Sequence, residues 1–242
     1  MLISGKNKFA LSPFTSEDEL RKIVIVNPNY FFGPGSFCLP KEIISDSDGF
    51  KVFTDGFAVD ISKRQWFVIN TTLSKHNVWS HIAPKVVKQI IAAEQPTTKQ
   101  LLIELIIQQL QKNNDIMKKF SEAGYFKKDE GAFQSKIRGI LGEIFENTPL
   151  IAMPIDSISD DLRDWAAVLK ANVKLCIVKK YVEDNNSENI IYEIPEDSVS
   201  PESGDGYLKN KKTDEIVKGD AKLRNKVLDR LTDKIDVSEI PY

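Results

Sequence analysis

The chain is poor in the residues that build covalent or metal-held frameworks: its 242 residues include two cysteines, two histidines and three methionines. Cys38 and Cys176 stand far apart and belong to no C-x-x-C or paired-histidine spacing. That excludes a disulfide framework and a zinc module, and both read as reduced core thiols. Long apolar runs are missing too. Nothing approaches the roughly 18 consecutive apolar residues of a membrane span, and no charged-then-apolar leader follows Met1. A cytoplasmic protein without membrane contact is therefore expected. No internal repeat is visible.

What is present is 41% hydrophobic and 28% charged residues, enough for one substantial core and an appendage. The net charge of −2 hides a segregation along the chain. Residues 61 to 93 hold Lys63, Arg64, Lys75, Lys85 and Lys88 with no acidic residue, whereas 182 to 208 hold eight acidic residues and no basic one. Taken alone, such runs are as often solvated surface as binding faces. A basic face toward phosphates is the sharper reading.

Local patterns set out the elements. Ser16 caps a helix with acidic residues in its first turn and Leu20, Ile23 and Val24 on one face, ended by Asn27 and Pro28. A Gly33-Pro34-Gly35 loop leads to strands near 37 to 44 and 49 to 60, with a turn at 46 to 49. Trp66 to Ile69 is apolar on both faces, as a central strand covered from both sides should be. A helix from His81 tolerates Pro84 in its first turn, and one from Lys99 to Lys112 is apolar nearly all round. So broad a surface needs cover, either from a symmetry mate or from helices of 129 to 146 and 159 to 171. Leu150 to Asp156, a Ser159-capped helix and strands at 173 to 182 and 190 to 194 should extend the same sheet. The implied class is α/β: a mixed central β-sheet flanked by helices over 1 to 194, with a helical insertion at about 97 to 147. A linker at 195 to 219 and an amphipathic C-terminal helix at 220 to 242 follow.

The chemistry concentrates at Asp60 to Thr72. An aspartate ending one apolar strand, a short basic turn and a second strand are expected to bring Asp60, Asn70 and Thr72 together at one strand pair. If the strand continues, period-two alternation adds Ser74 and His76 to that face. His76 is then a ligand or base, or else His76 and His81 orient the strand-to-helix turn.

Residues Asp55 to Asp60, the strand Trp66 to Thr72 and the segment Leu73 to Pro84 resemble the core of the PD-(D/E)XK, or restriction-endonuclease-like, nuclease superfamily. The resemblance covers roughly 14 to 93, with a weaker echo at 150 to 194. The superfamily pattern is Asp, a gap of about ten, Glu or Asp, any residue, then Lys or Glu. Asp60 matches it; Asn70 and Thr72 depart from it. The resemblance also implies a metal-shell glutamate on the first helix, Glu17 or Glu19, and a polar residue near the site on the following helix, where Lys85 stands. With one charge of three, hydrolysis is expected to be lost and the fold kept for binding nucleic acid, DNA foremost, or a protein partner, as in a nucleic-acid-processing or defence system. Lys63, Arg64, Lys75, His81, Lys85 and Lys88 are the expected backbone contacts, and a homodimer is a further expectation. The alternative is an active endonuclease with Glu17 or Glu19, Asp60 and Asn70 around Mg2+ or Mn2+. Otherwise no cofactor is expected.

Overall fold

Residues 1–40, 54–125, 133–169 and 173–194 are described by a computed structural model. The turn expected at 46 to 49, the linker at 195 to 219 and the tail helix at 220 to 242 lie outside the described residues.

Residues apolar on both faces make the centre of the molecule. Strands β3 (Ser36–Pro40), β4 (Gly56–Asp60), β5 (Gln65–Ile69), β6 (Leu150–Ile155) and β7 (Val173–Ile177) form a five-stranded sheet in that order. β3, β4 and β5 are an antiparallel meander, and β5, β6 and β7 run parallel. β5 sits mid-sheet as its composition demands, since Trp66, Phe67, Val68 and Ile69 are all buried.

Period two then divides the side chains. Phe67, Ile69 and Leu73 face Leu20 and Val24 of α1 (Glu17–Val26) and Phe31 and Phe32 of α2 (Pro28–Phe32). Trp66 and Val68 face the other layer. That layer opens with a π-helical turn, Val78–Ile82, running into α3 (Ala83–Glu94). It continues through α4 (Pro96–Lys112), α5 (Asn114–Glu122), α6 (Phe133–Glu146) and α7 (Asp160–Val168). Ser159 caps α7 as expected, accepting from Leu162 N at 3.2 Å.

Two expectations change. The apolar circumference of α4 does not await a symmetry mate: Leu102, Ile103, Leu105, Ile106, Ile107 and Leu110 are buried within the chain, packed by α3, α5, α6 and the sheet. The feature that pointed to a homodimer is thereby accounted for. The last strands also do not all extend the main sheet. An N-terminal hairpin, β1 (Leu2–Ser4) and β2 (Asn7–Ser12), turns at Gly5 with φ +61° and offers β2 as an edge. After β7 the chain crosses at the buried Val178 to β8 (Lys179–Glu183) and β9 (Asn186–Glu193), giving a second antiparallel sheet ordered β1, β2, β8, β9. Among the described residues no helix is long and apolar enough to cross a membrane.

Candidate functional site

The hairpin register decides which aspartate meets which strand end. Asp60 pairs with Gln65 beside the turn, while Gly56 pairs with Ile69. Asp60 and Asn70 therefore stand at opposite ends of the hairpin, about 17 Å apart along five strand steps. The structure does not bring Asp60, Asn70 and Thr72 together. The residue at the Asn70 end is Asp55, whose backbone N–H donates to Ile69 O at 3.0 Å.

Asp55 Oδ2 accepts from the backbone N–H and the hydroxyl of Thr71, each at 2.8 Å, and lies 3.8 Å from Lys85 Nζ. Its side chain keeps 16% exposure. It shares a pocket with Glu17, Arg21, Lys75 and His76. Glu17 opens α1, and its Oε1 lies 3.3 Å from His76 Nε2. Arg21 is held by Asp18 through Nε at 3.2 Å and Nη2 at 2.5 Å. The hydrogen bonds from Arg21 and Lys22 bring the Asp18 carboxyl down to about 2. Lys75 is exposed and makes no ion pair among the described residues. The pocket lies past the carboxyl ends of parallel strands β5 and β6. Open sheets with parallel strands bind ligands at that edge, where loops are free of the ladder. There Asp156, just past β6, accepts from Ser74 N at 2.7 Å and from Ser74 Oγ at 3.1 Å, fixing the loop that carries Lys75 and His76.

Asn70 and Thr72, the expected second and third catalytic places, are 0% and 2% exposed and do not line the pocket. Asn70 Oδ1 accepts from Gln89 Nε2 of α3 at 3.5 Å. Between them Thr71 points to the α1 side and takes Asp55 as partner. Glu19, the other helix carboxylate, is committed elsewhere. Its Oε2 accepts from Thr15 N and Oγ1 at 2.8 and 2.9 Å, and its Oε1 meets Lys180 Nζ at 2.5 Å. Burial pushes the Glu19 carboxyl up, but the hydrogen bonds from Lys180 and Thr15 outweigh that and leave it below its ordinary range. His76 is in a turn rather than on a continued strand; its ring stacks on that of His81 with centroids 4.7 Å apart and planes 18° apart.

Asp60 belongs to the opposite end and is fully buried. Oδ1 accepts from the backbone of Ser62 at 2.9 Å and Lys63 at 3.3 Å. A Cβ on Gly33, at φ +111°, would fall 2.7 Å from Oδ2, so the glycine loop is shaped around this carboxylate. Burial raises its pKa against the pull of those N–H groups and of Lys63 and Lys119. Oδ2 and the neighbouring Ser36 Oγ are buried without a hydrogen-bond partner. The carboxylate at which the sequence places a metal is thus enclosed by the Gly33 loop and stands apart from the pocket.

Lys63 and Arg64 lie at the Asp60 end, so the acid-free run is not one face. Arg64 takes positive φ (+52°), donates to Tyr125 OH at 3.1 Å and pairs with Glu143 at 3.0 Å, anchoring the turn to the helical layer. Lys75, His81, Lys85 and the half-buried Lys88 stay together on the other side. Counting outward from the Lys63-Arg64 turn would have found Asp55 in the sequence; counting forward from Asp60 could not.

A divalent cation fits the donors at the pocket poorly. Mg2+ and Mn2+ want several charged oxygens; the pocket offers Asp55, whose Oδ2 already holds Thr71 and lies near Lys85, and Glu17, whose buried Oε1 has no hydrogen-bond partner. Among the described residues no group of three or more His, Cys, Asp or Glu side chains could hold a metal ion. Comparison with protein-family models, curated proteins and solved structures finds no match to this chain.

Proposed function

We propose that the chain is a restriction-endonuclease-like protein that binds nucleic-acid backbones at the Asp55 pocket without hydrolysing them. The observation that carries this reading is the convergence of Lys75, Lys85 and His76 on the same strand ends as Asp55 and Glu17. The mixed sheet covered by helices on both faces supports the same reading. Asp55 is matched by Thr71 and Lys85 and Asp18 by Arg21 and Lys22, and Lys75 is left over for a phosphate. The second and third charged places of the hydrolytic pattern are taken by Asn70 and Thr72, which carry no charge to hold a cation or orient water. Replacing a carboxylate by a neutral group forfeits about 1 to 4 kcal/mol of attraction even in screened surroundings.

Fluorescence anisotropy with labelled oligonucleotides at low salt tests it. Binding should weaken as salt rises, because released counterions drive it. Lys75→Glu and Lys85→Glu should each weaken it and flatten the salt slope by about one unit or more. Lys63→Glu, at the far end of the hairpin, should change it little. No binding at the lowest salt would leave a protein-partner scaffold as the better reading. Mn2+-dependent cleavage abolished by Asp55→Ala would overturn the loss of hydrolysis and assign Glu17, Asp55 and Lys85 to a working site.

A further inference from the structure

His76, which lines this pocket, stacks its ring on that of His81. We infer that His76 and His81 form a stacking platform for an unpaired nucleobase, so that the pocket selects single-stranded nucleic acid over duplex. This rests on the backbone-binding reading above and adds the substrate class to it. The inner ring lies against the start of α1. His76 Nε2 lies 3.3 Å from Glu17 Oε1, and its backbone N–H donates to Leu73 O at 3.0 Å. The outer ring lies nearly parallel on it, with centroids 4.7 Å apart and planes 18° apart.

The backbone under His81 is equally determined. His81 N–H donates to Asn77 O at 3.1 Å, and the Asn77 side chain accepts from Trp79 N, Ser80 N and Ser80 Oγ at 3.0, 2.9 and 2.9 Å. This is a π-helical turn, a rare conformation that concentrates at functional sites. A ring that stacked only to bury itself would be covered, yet His81 is exposed. One face rests on His76.

An aromatic face held beside an ammonium suits one nucleotide unit. His76 and Lys75 line the same pocket, so a base on the platform brings its phosphate toward Lys75. Only an unpaired base can offer its face, since the bases of a duplex are already stacked on their neighbours. Stacking tolerates any base, so little sequence preference accompanies it.

The test uses the full chain and four labelled probes: a thymidine homopolymer, its uridine counterpart, the thymidine strand annealed to its complement, and a strand of abasic sugar-phosphates. Either single strand should bind about tenfold more tightly than duplex or abasic strand, the scale of one base stacked on an aromatic ring. His81→Ala should bring single-strand affinity down to that of the abasic strand. His81→Phe should restore it, which a role confined to turn geometry would not produce. Equal affinity for all four probes, or an advantage that His81→Ala leaves intact, overturns the platform while leaving backbone binding standing. Failure of every probe at low salt overturns both.

Discussion

Asp55 and Asp60 close the two ends of strand β4, and their surroundings differ in almost every physical respect. Asp60 is fully buried, takes two backbone N–H groups on Oδ1 and has the Gly33 loop wrapped against Oδ2. Asp55 keeps contact with solvent, holds Thr71, lines a pocket and lies 3.8 Å from Lys85 Nζ. One carboxylate organises a turn; the other stands among groups that can meet a ligand. The contrast teaches that an aspartate's role is set by the strand end its register assigns, not by its distance in sequence from the next polar residue.

The largest effects should come from the enclosed end. Gly33→Ala places a Cβ against Asp60 Oδ2 and forces alanine to φ +111°, a conformation that L side chains rarely adopt. The expected loss is on the order of 3 kcal/mol, read as a lower urea midpoint. Asp55→Ala should lose less, about 2 kcal/mol, by releasing the two Thr71 hydrogen bonds of a charged acceptor. An equal or greater loss at Asp55 would break the comparison, since the pocket aspartate would then be the structural one.

The same division recurs on α1. Glu17 turns toward the pocket, while Glu19 is clamped by Lys180, which is nearly buried on β8. Lys180→Ala should cost about 2 kcal/mol, below the full cost of breaking a buried pair because Glu19 retains some solvent and its Thr15 partners. The pH dependence follows from the sign of the shift. The folded Glu19 carboxyl lies below its unfolded value, so its contribution is complete above the unfolded pKa and is lost as pH falls through the folded one. Lys180→Ala should therefore shrink the acid-side loss of stability, seen in urea midpoints across pH 3 to 6, roughly the carboxylate range. Lys180→Arg should preserve it.

Much of the fold was legible because its signals are local. The Ser16 and Ser159 caps, the apolar run of β5 and the breadth of α4 each state their own environment. The second sheet was not legible. β2 reads Asn-Lys-Phe-Ala-Leu-Ser, shows little alternation, and gains its partner β8 from the far end of the described chain. Such pairing is a tertiary choice that no window reveals. At the site, the basic residues after β5 and the helix glutamate were visible, and Glu17 does reach the pocket. Asp60 was placed beside Asn70 because it lies nearer in sequence, whereas pairing runs outward from the turn and reaches Asp55 last.

The smallest effect sharpens the comparison most. Asp60→Asn keeps the Oδ1 acceptor for Ser62 and Lys63 and replaces the unpartnered Oδ2 with an amide beside Ser36 Oγ, itself without a partner. No charge is then buried. Because burial raises the Asp60 pKa in the folded state, that state holds the proton more tightly than the unfolded chain. Its contribution is greatest below the unfolded pKa and is lost as pH rises through the folded one. At neutral pH the substitution should thus be neutral or stabilising, within about 1 kcal/mol, whereas Asp60→Ala, which strands both N–H groups, should destabilise. The two variants separate hydrogen bonding from charge at this position. A marked loss at neutral pH from Asp60→Asn would mean that the carboxylate charge itself is needed, and the turn end would rejoin the pocket end as a place where charge is used.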